Sequence, residues 1–117
     1  MTTLSIIIPV FNEEKTLSEI IGLVKLVKLP NIKKEIIVVD DGSSDASWKI
    51  LKKVEGIKRF RHKINKGKGA ALSTGISHAT GEIFLIQDAD LEYDPKYYPK
   101  LLEPILLGKT EVVYGTR

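Results

Sequence analysis

The chain has 117 residues, 43% hydrophobic and 28% charged, with 9 Gly, 5 Pro and a formal net charge of +3. These are the figures of one ordinary globular domain and exclude a disordered chain or a fibrous repeat. There is no cysteine, which excludes a disulfide framework and a thiolate metal site and leaves oxygen atoms, or His62 and His78, as metal donors.

Taken in chain order, Leu4 to Val10 is a β-branched apolar run, too short for a helix and apolar on both faces, as a central parallel strand requires. Asn12 is placed to cap a helix with an acidic first turn, Glu13 and Glu14, and an apolar face of Leu17, Ile20, Ile21, Val24, Leu26 and Val27, which Pro30 stops. Glu35 to Val39 reads as a second buried strand, Asp40 to Ser44 as a polar turn, and Asp45 to Val54 as a helix with Trp48 and Leu51 at helical spacing. A third strand is predicted at Ile57 to His62. Asn65 to Gly69 is a glycine-rich turn into a helix from Ala70 to Ala79, which Thr80-Gly81 ends, and Glu82 to Gln87 is a fourth buried strand. Asp94 followed by Pro95 marks the start of a further helix carrying Tyr97, Tyr98 and Leu101, with Pro104 as a kink, before a last strand at Glu111 to Tyr114. Strands alternating with helices at this spacing predict an α/β fold: a mostly parallel sheet with helices on both faces, in one domain over 1–117.

The positive charge is local. Between Lys49 and Lys68 lie nine basic residues against Glu55 alone, a field that suits phosphates, nucleic acid or an anionic membrane surface, and equally a solvated helix face beside a lysine-protected edge strand. No apolar run approaches the ~20 residues that span a bilayer, and Met1-Thr2-Thr3 leads straight into the first strand without a signal pattern. A cytoplasmic location is therefore expected.

In open parallel sheets ligands sit beyond the carboxyl ends of the strands. There the first strand ends in Pro9-Val10-Phe11-Asn12-Glu13, the second in Asp40-Asp41-Gly42-Ser43-Ser44 and the fourth in Gln87-Asp88-Ala89-Asp90-Leu91-Glu92. Asp40 to Asp45 reads either as a simple turn with a helix cap or as a site in which Asp40 meets the donors of a nucleobase or ribose. Asp88 and Asp90, two apart on extended chain, point to one side, with Glu92 next in phase, so three oxygens can face one hard divalent cation such as magnesium or manganese. Asn65 to Gly69 offers backbone N–H groups at a helix start to an anion, or is merely a flexible helix entry; it lacks the ending of a Walker loop. Arg117 is placed to neutralise a diphosphate or an acceptor phosphate.

Together the motifs Ile6-Ile7-Ile8-Pro9-Val10-Phe11-Asn12-Glu13, Val38-Val39-Asp40-Asp41-Gly42-Ser43-Ser44-Asp45, Asn65-Lys66-Gly67-Lys68-Gly69 and Asp88-Ala89-Asp90 resemble those of family 2 glycosyltransferases with the GT-A fold. The branch they resemble most transfers mannose or glucose to polyprenyl (dolichol) phosphate. The resemblance implies a Rossmann-like GT-A sheet and transfer of a hexose, with inversion, from a UDP- or GDP-sugar to a lipid phosphate or glycan acceptor in cell-envelope glycan biosynthesis. It implies that Pro9, Phe11, Asn12 and Glu13 line the nucleotide pocket, that Asp40 holds the base with Lys68 nearby, and that Asp88, Asp90 and Glu92 position ribose and metal-bound diphosphate. Gly115-Thr116-Arg117 looks like the family's Gly-Ser-Arg, whose arginine approaches phosphate; Glu92 stands where relatives often carry glutamine.

Relatives of this kind continue into an acceptor-binding half, often with membrane-associating helices. The 117 residues are accordingly expected to supply donor and metal binding with weak or no turnover, no catalytic base is assigned, and peripheral membrane association and a homo-oligomer are open expectations. The rival readings are a non-catalytic nucleotide-binding module or subunit and a nucleotidyltransferase, for which Pro9 to Glu13 lacks the glycine-arginine-rich loop. A nucleic-acid-binding module rests on the 49–68 charge alone, and no nucleic-acid partner is expected.

Overall fold

A computed structural model describes residues 2–90 and 94–100 together with the backbone of Val112–Tyr114. Its elements are β1 (Thr2–Val10), α1 (Leu17–Leu26), β2 (Ile32–Asp41), α2 (Ser47–Leu51), β3 (Lys58–His62), α3 (Lys68–Ser77), β4 (Ile83–Ile86), a single 3-10 turn at Pro95–Tyr97 and β5 (Val112–Tyr114). The sheet order is β3-β2-β1-β4-β5, every pair parallel. The predicted α/β architecture is thus the one observed.

The two apolar faces of the central strands dictate two helical layers. On one face Leu4, Ile6, Ile8 and Val10 of β1 and Ile36 and Val38 of β2 pack with Leu17, Ile20, Ile21 and Val24 of α1, Leu51 of α2 and Tyr98. On the other, Ile7, Ile37 and Val39 pack with Ala71 and Leu72 of α3. Gly75 is what lets α3 lie so close, because a Cβ there would stand 2.6 Å from the Ile7 side chain. Chain direction across the sheet reverses after β3: β1, β2 and β3 step one way with α1 and α2 between them, and α3 carries the chain back over the other face to β4. One handedness of crossover demands opposite faces for opposite directions.

Several element boundaries differ from expectation for identifiable reasons. Asn12 does not cap α1. It has a positive φ of 53°, and the first turn of α1 is entered through Thr16 and Leu17 N–H groups that donate to the Glu13 carbonyl. The predicted turn at Asp40 is strand instead: Asp40 and Asp41 end β2, paired in register with Arg61 and His62 of β3, so basic partners extend the ladder into residues that read as a turn. α2 is half its predicted length, because the Asp45 carboxylate takes the Ser47 N–H and holds the chain in a turn, while Lys53 and Val54 close the other end with i−3 bonds. Asp94 does accept from the Lys96 N–H as a cap, with Pro95 behind it. The predicted helix beyond residue 100 lies outside the described residues.

At the amino ends of the strands, away from the cleft described below, Glu35 ties three strands together. It accepts from Ser5 Oγ (2.6 Å), Lys58 Nζ (2.6 Å), and the Thr80 N–H (2.9 Å) and hydroxyl (2.8 Å). Burial pushes its carboxyl up, but these donors outweigh burial and hold its pKa at about 2 against an ordinary 4.5. A carboxyl whose folded pKa is depressed stabilises fully above its unfolded value and loses that contribution as pH falls through the folded one. Glu35→Gln is therefore expected to cost about 1–2 kcal/mol near neutral pH, discounted because Lys58 is half exposed. The gap between wild type and variant should close as pH falls from 4.5 towards 2. Urea unfolding at pH 7 and pH 2.5 checks it; a pH-independent gap refutes it.

Candidate active site

The strand order winds outward in opposite senses on either side of the parallel β1–β4 pair, and beyond the carboxyl ends of those two strands lies a cleft of about 490 Å³, within the range of small-molecule sites. Pro9, Val10, Phe11 and Glu13 form one wall, Asp88, Ala89 and Asp90 the opposite one, and Asp41, Asn65, Lys68 and Ala71 complete it. The sequence-selected residues Pro9, Phe11, Glu13, Lys68, Asp88 and Asp90 are thereby brought together. Phe11 is 46% exposed, an aromatic surface at the mouth with no core to fill.

Two selected residues stand elsewhere. Asn12 does not line the cleft; its Oδ1 accepts from the Ser44 (2.8 Å) and Asp45 (3.3 Å) N–H groups while its own N–H donates to Ser43 Oγ (2.9 Å). With Glu13 N–H donating to the buried Ser47 hydroxyl (3.0 Å), this laces the loop after β1 to the loop after β2 and holds Glu13 in place. Asp40 is fully buried on the α1 face and does not line the cleft. Its Oδ2 takes the Ser43 N–H at 3.4 Å and faces Arg61 Nε at 3.7 Å, with Arg61 lying over the Trp48 ring, and its Oδ1 has no hydrogen-bond partner among the described residues. Glu92 and Arg117 lie outside the described residues.

The residue that sequence reasoning passed over is Asp41. Successive strand residues face opposite sides: Val38 and Asp40 share one face, Val39 and Asp41 the other, and it is the second face, under the amino end of α3, that opens into the cleft. Asp41 is 3% exposed. Its Oδ1 accepts from His62 Nδ1 (2.7 Å) and the Lys66 N–H (2.9 Å), its Oδ2 from the Gly67 N–H (2.8 Å). Burial pushes this carboxyl up, but the His62 bond and the two backbone donors outweigh it and hold it below the usual carboxylate range. The glycine-rich loop therefore turns two of its N–H groups onto an internal anion, Asp41, which was not the arrangement expected of an open anion site. Thr16 is a second unforeseen part: its hydroxyl donates to the Ala89 carbonyl (2.5 Å) and ties the Asp88–Asp90 wall to the Glu13 wall.

Among the described residues, carboxylates predominate in the lining of the cleft. Lys68 Nζ meets Asp88 Oδ1 at 2.6 Å, but Glu13, Asp41, Asp88 and Asp90 share the space. The Glu13 carboxyl is held above its ordinary range, first by burial and further by the charges of Asp90, Asp45 and Asp88, against a lowering hydrogen bond from Thr16. Hard carboxylate oxygens such as these suit magnesium or manganese. Among the described residues no group of three or more His, Asp or Glu side chains gathers closely enough to enclose an ion.

Comparison with known proteins bears on the family and the fold. The model of glycosyl transferase family 2 matches residues 5–117. The chain belongs to glycosyltransferase family 2. It is 34% identical over 116 residues to a dolichol-phosphate mannosyltransferase of Pyrococcus furiosus, covering 97% of this chain and 32% of that protein. It is 32% identical to a dodecaprenyl-phosphate galacturonate synthase of Rhizobium johnstonii, covering 97% and 36%. Among solved structures, the Pyrobaculum calidifontis mannosyltransferase in complex with GDP-Man and Mn2+ superposes with a TM-score of 0.72 at 28% identity, covering 80% of this chain and 29% of that one. S. aureus TarS in complex with UDP-GlcNAc gives 0.76 at 26%, covering 90% and 31%. These structures carry the GT-A glycosyltransferase fold. The chain thus spans about a third of the length of these relatives, and among its described residues no helix is long and apolar enough to cross a membrane.

Proposed function

We propose that this chain is the donor-binding part of an inverting hexosyltransferase that moves a sugar from a nucleoside diphosphate onto a polyprenyl phosphate or glycan acceptor. The observation that carries the reading is the cleft beyond the carboxyl ends of β1 and β4, where Glu13, Asp88 and Asp90 face one another across a space that Lys68 also reaches. The relatives' names, polyprenyl-phosphate sugar transferases among them, favour the lipid acceptor.

Each residue has work suited to its surroundings. Phe11 presents a flat face to the base, and Asp41, with three of its acceptor positions filled, keeps capacity for one further donor from base or ribose. This role passes to Asp41 from Asp40, whose carboxylate lies on the other face. Lys68, now paired with Asp88, can shift to the diphosphate. Asp88 and Asp90, with Glu92, would hold magnesium or manganese, which when bound supplies neutralisation of the charge on the departing diphosphate; Arg117 would add to it. The acceptor oxygen forms its bond to the anomeric carbon on the face opposite the diphosphate as the carbon–oxygen bond to phosphate breaks, and the electron pair leaves on the diphosphate. A lipid phosphate is already an anionic nucleophile, whereas a sugar hydroxyl needs a carboxylate base, and the acceptor side belongs to a protein of the relatives' length. Residues 1–117 alone are expected to bind donor with little turnover.

Calorimetric titration with UDP, GDP and their hexose derivatives, with and without manganese, tests this. Binding strengthened by manganese is expected, with Asp90→Ala weakening the manganese-supported affinity at least ~10-fold, the scale of a lost charge-assisted contact. Unchanged, metal-independent binding by that variant would remove the metal assignment, and no nucleotide binding by wild type would remove the reading itself.

A further inference from the structure

We infer that His62, which does not line the cleft, is a positioning residue for the nucleotide site: it sets the Asp41 carboxylate and, through it, the Lys66–Lys68 loop. The inference rests on the donor-binding reading above. His62 is the last residue of the edge strand β3 and the register partner of Asp41. Its ring is clamped at both ends, Nδ1 to Asp41 Oδ1 at 2.7 Å and Nε2 to Thr74 Oγ1 at 2.8 Å, with the side chain only 9% exposed. Because a carboxylate only accepts, Nδ1 carries the hydrogen in the first contact, and in the neutral ring Nε2 then accepts from the Thr74 hydroxyl.

The consequence is geometric. A carboxylate with one oxygen facing two donors and the other facing one cannot rotate without losing bonds. His62 supplies the side-chain donor that decides which way it faces, while Thr74 fixes the imidazole against α3. The Lys66 and Gly67 N–H groups follow the carboxylate (2.9 and 2.8 Å), and they precede Lys68, whose ammonium reaches Asp88 across the cleft. One ring therefore connects the floor of the cleft, the entry of α3 and the cation that faces the diphosphate.

Two conservative replacements divide the contacts. In His62→Asn the amide nitrogen lies as many bonds from the backbone as Nδ1, so the donor to Asp41 is kept and Thr74 is given up. In His62→Gln the amide reaches the Nε2 position, so Thr74 is kept and Asp41 is given up. Amide hydrogen exchange at Lys66 and Gly67 is measured by NMR alongside the dissociation constant for whichever of UDP or GDP wild type binds. His62→Gln is expected to speed exchange of both amides about tenfold and to weaken nucleotide binding by a similar factor, while His62→Asn keeps both within roughly threefold of wild type. Equal behaviour of the two variants, whether both like wild type or both equally impaired, overturns the inference. Should His62→Gln fail to fold, His62→Asn decides alone: binding and protection retained within threefold uphold the role, and their loss refutes it. If wild type binds no nucleotide the donor-binding reading falls, and exchange at Lys66 and Gly67 still decides whether His62 holds the loop.

Discussion

Gly42→Ala is expected to destabilise the fold by about 3 kcal/mol or more and to lower the melting temperature by roughly 10 °C. Gly42 has φ +70°, a conformation side chains other than glycine adopt only with strain, and a Cβ built on it would stand 2.5 Å from the Asn65 nitrogen and the Ile64 carbonyl carbon. Those contacts are backbone, so no rotamer change relieves them. Either β2 or the 64–67 loop must move, and the loop is the part tied to the cleft. Thermal unfolding followed by circular dichroism measures the loss of stability, and nucleotide titration below the variant's melting point measures the loss of the site. A variant that melts within a degree or two of wild type would show that the two loops do not approach in this way.

Asp41→Ala is expected to cost about 3–5 kcal/mol, because it leaves the His62 ring and the Lys66 and Gly67 N–H groups without their acceptor. Nucleotide affinity should fall at least ~10-fold, since the cleft loses an acceptor and the loop that carries Lys68 loses its anchor. Asp40→Ala should leave affinity much closer to wild type, since Asp40 stands on the other face of the sheet. If the two alanine variants exchange these phenotypes, the assignment of the cleft to the α3 face is wrong. Asp41→Ala and Gly42→Ala act on the same 64–67 loop, so their effects should combine with an interaction energy of about 1 kcal/mol or more in a double-mutant cycle. Simple additivity would mean that the loop is held independently at its two ends.

The identity of β1, β2 and β4 was legible in the sequence because burial on both faces writes a continuous apolar run, as at Ile6-Ile7-Ile8 and Ile36-Ile37-Val38-Val39, whereas β3, at the sheet edge, carries one apolar residue, Phe60, among Lys58, Arg59, Arg61 and His62. The acidic rim was legible for a related reason: Pro9 to Glu13 and Asp88 to Asp90 directly follow such runs, and parallel sheets place those ends on one side. The order β3-β2-β1-β4-β5, and so which two strand tips flank the cleft, came only from the tertiary structure.

The sequence could show two adjacent aspartates at the end of β2 but could not choose between them. A strand presents alternate residues to opposite faces, and nothing local tells which face will lie under the opening of α3; packing of Gly75 against Ile7 decides it. The roles of Asn12, Ser47, Thr16 and His62 were hidden for the same physical reason. Their partners lie between 12 and 73 residues away along the chain, and a hydrogen bond across that separation leaves no periodicity for a sequence to display. Composition and apolar period thus determined an α/β domain with an acidic rim, while the choice of Asp41 over Asp40, and the clamps that aim it, arose when the sheet faces acquired their helices.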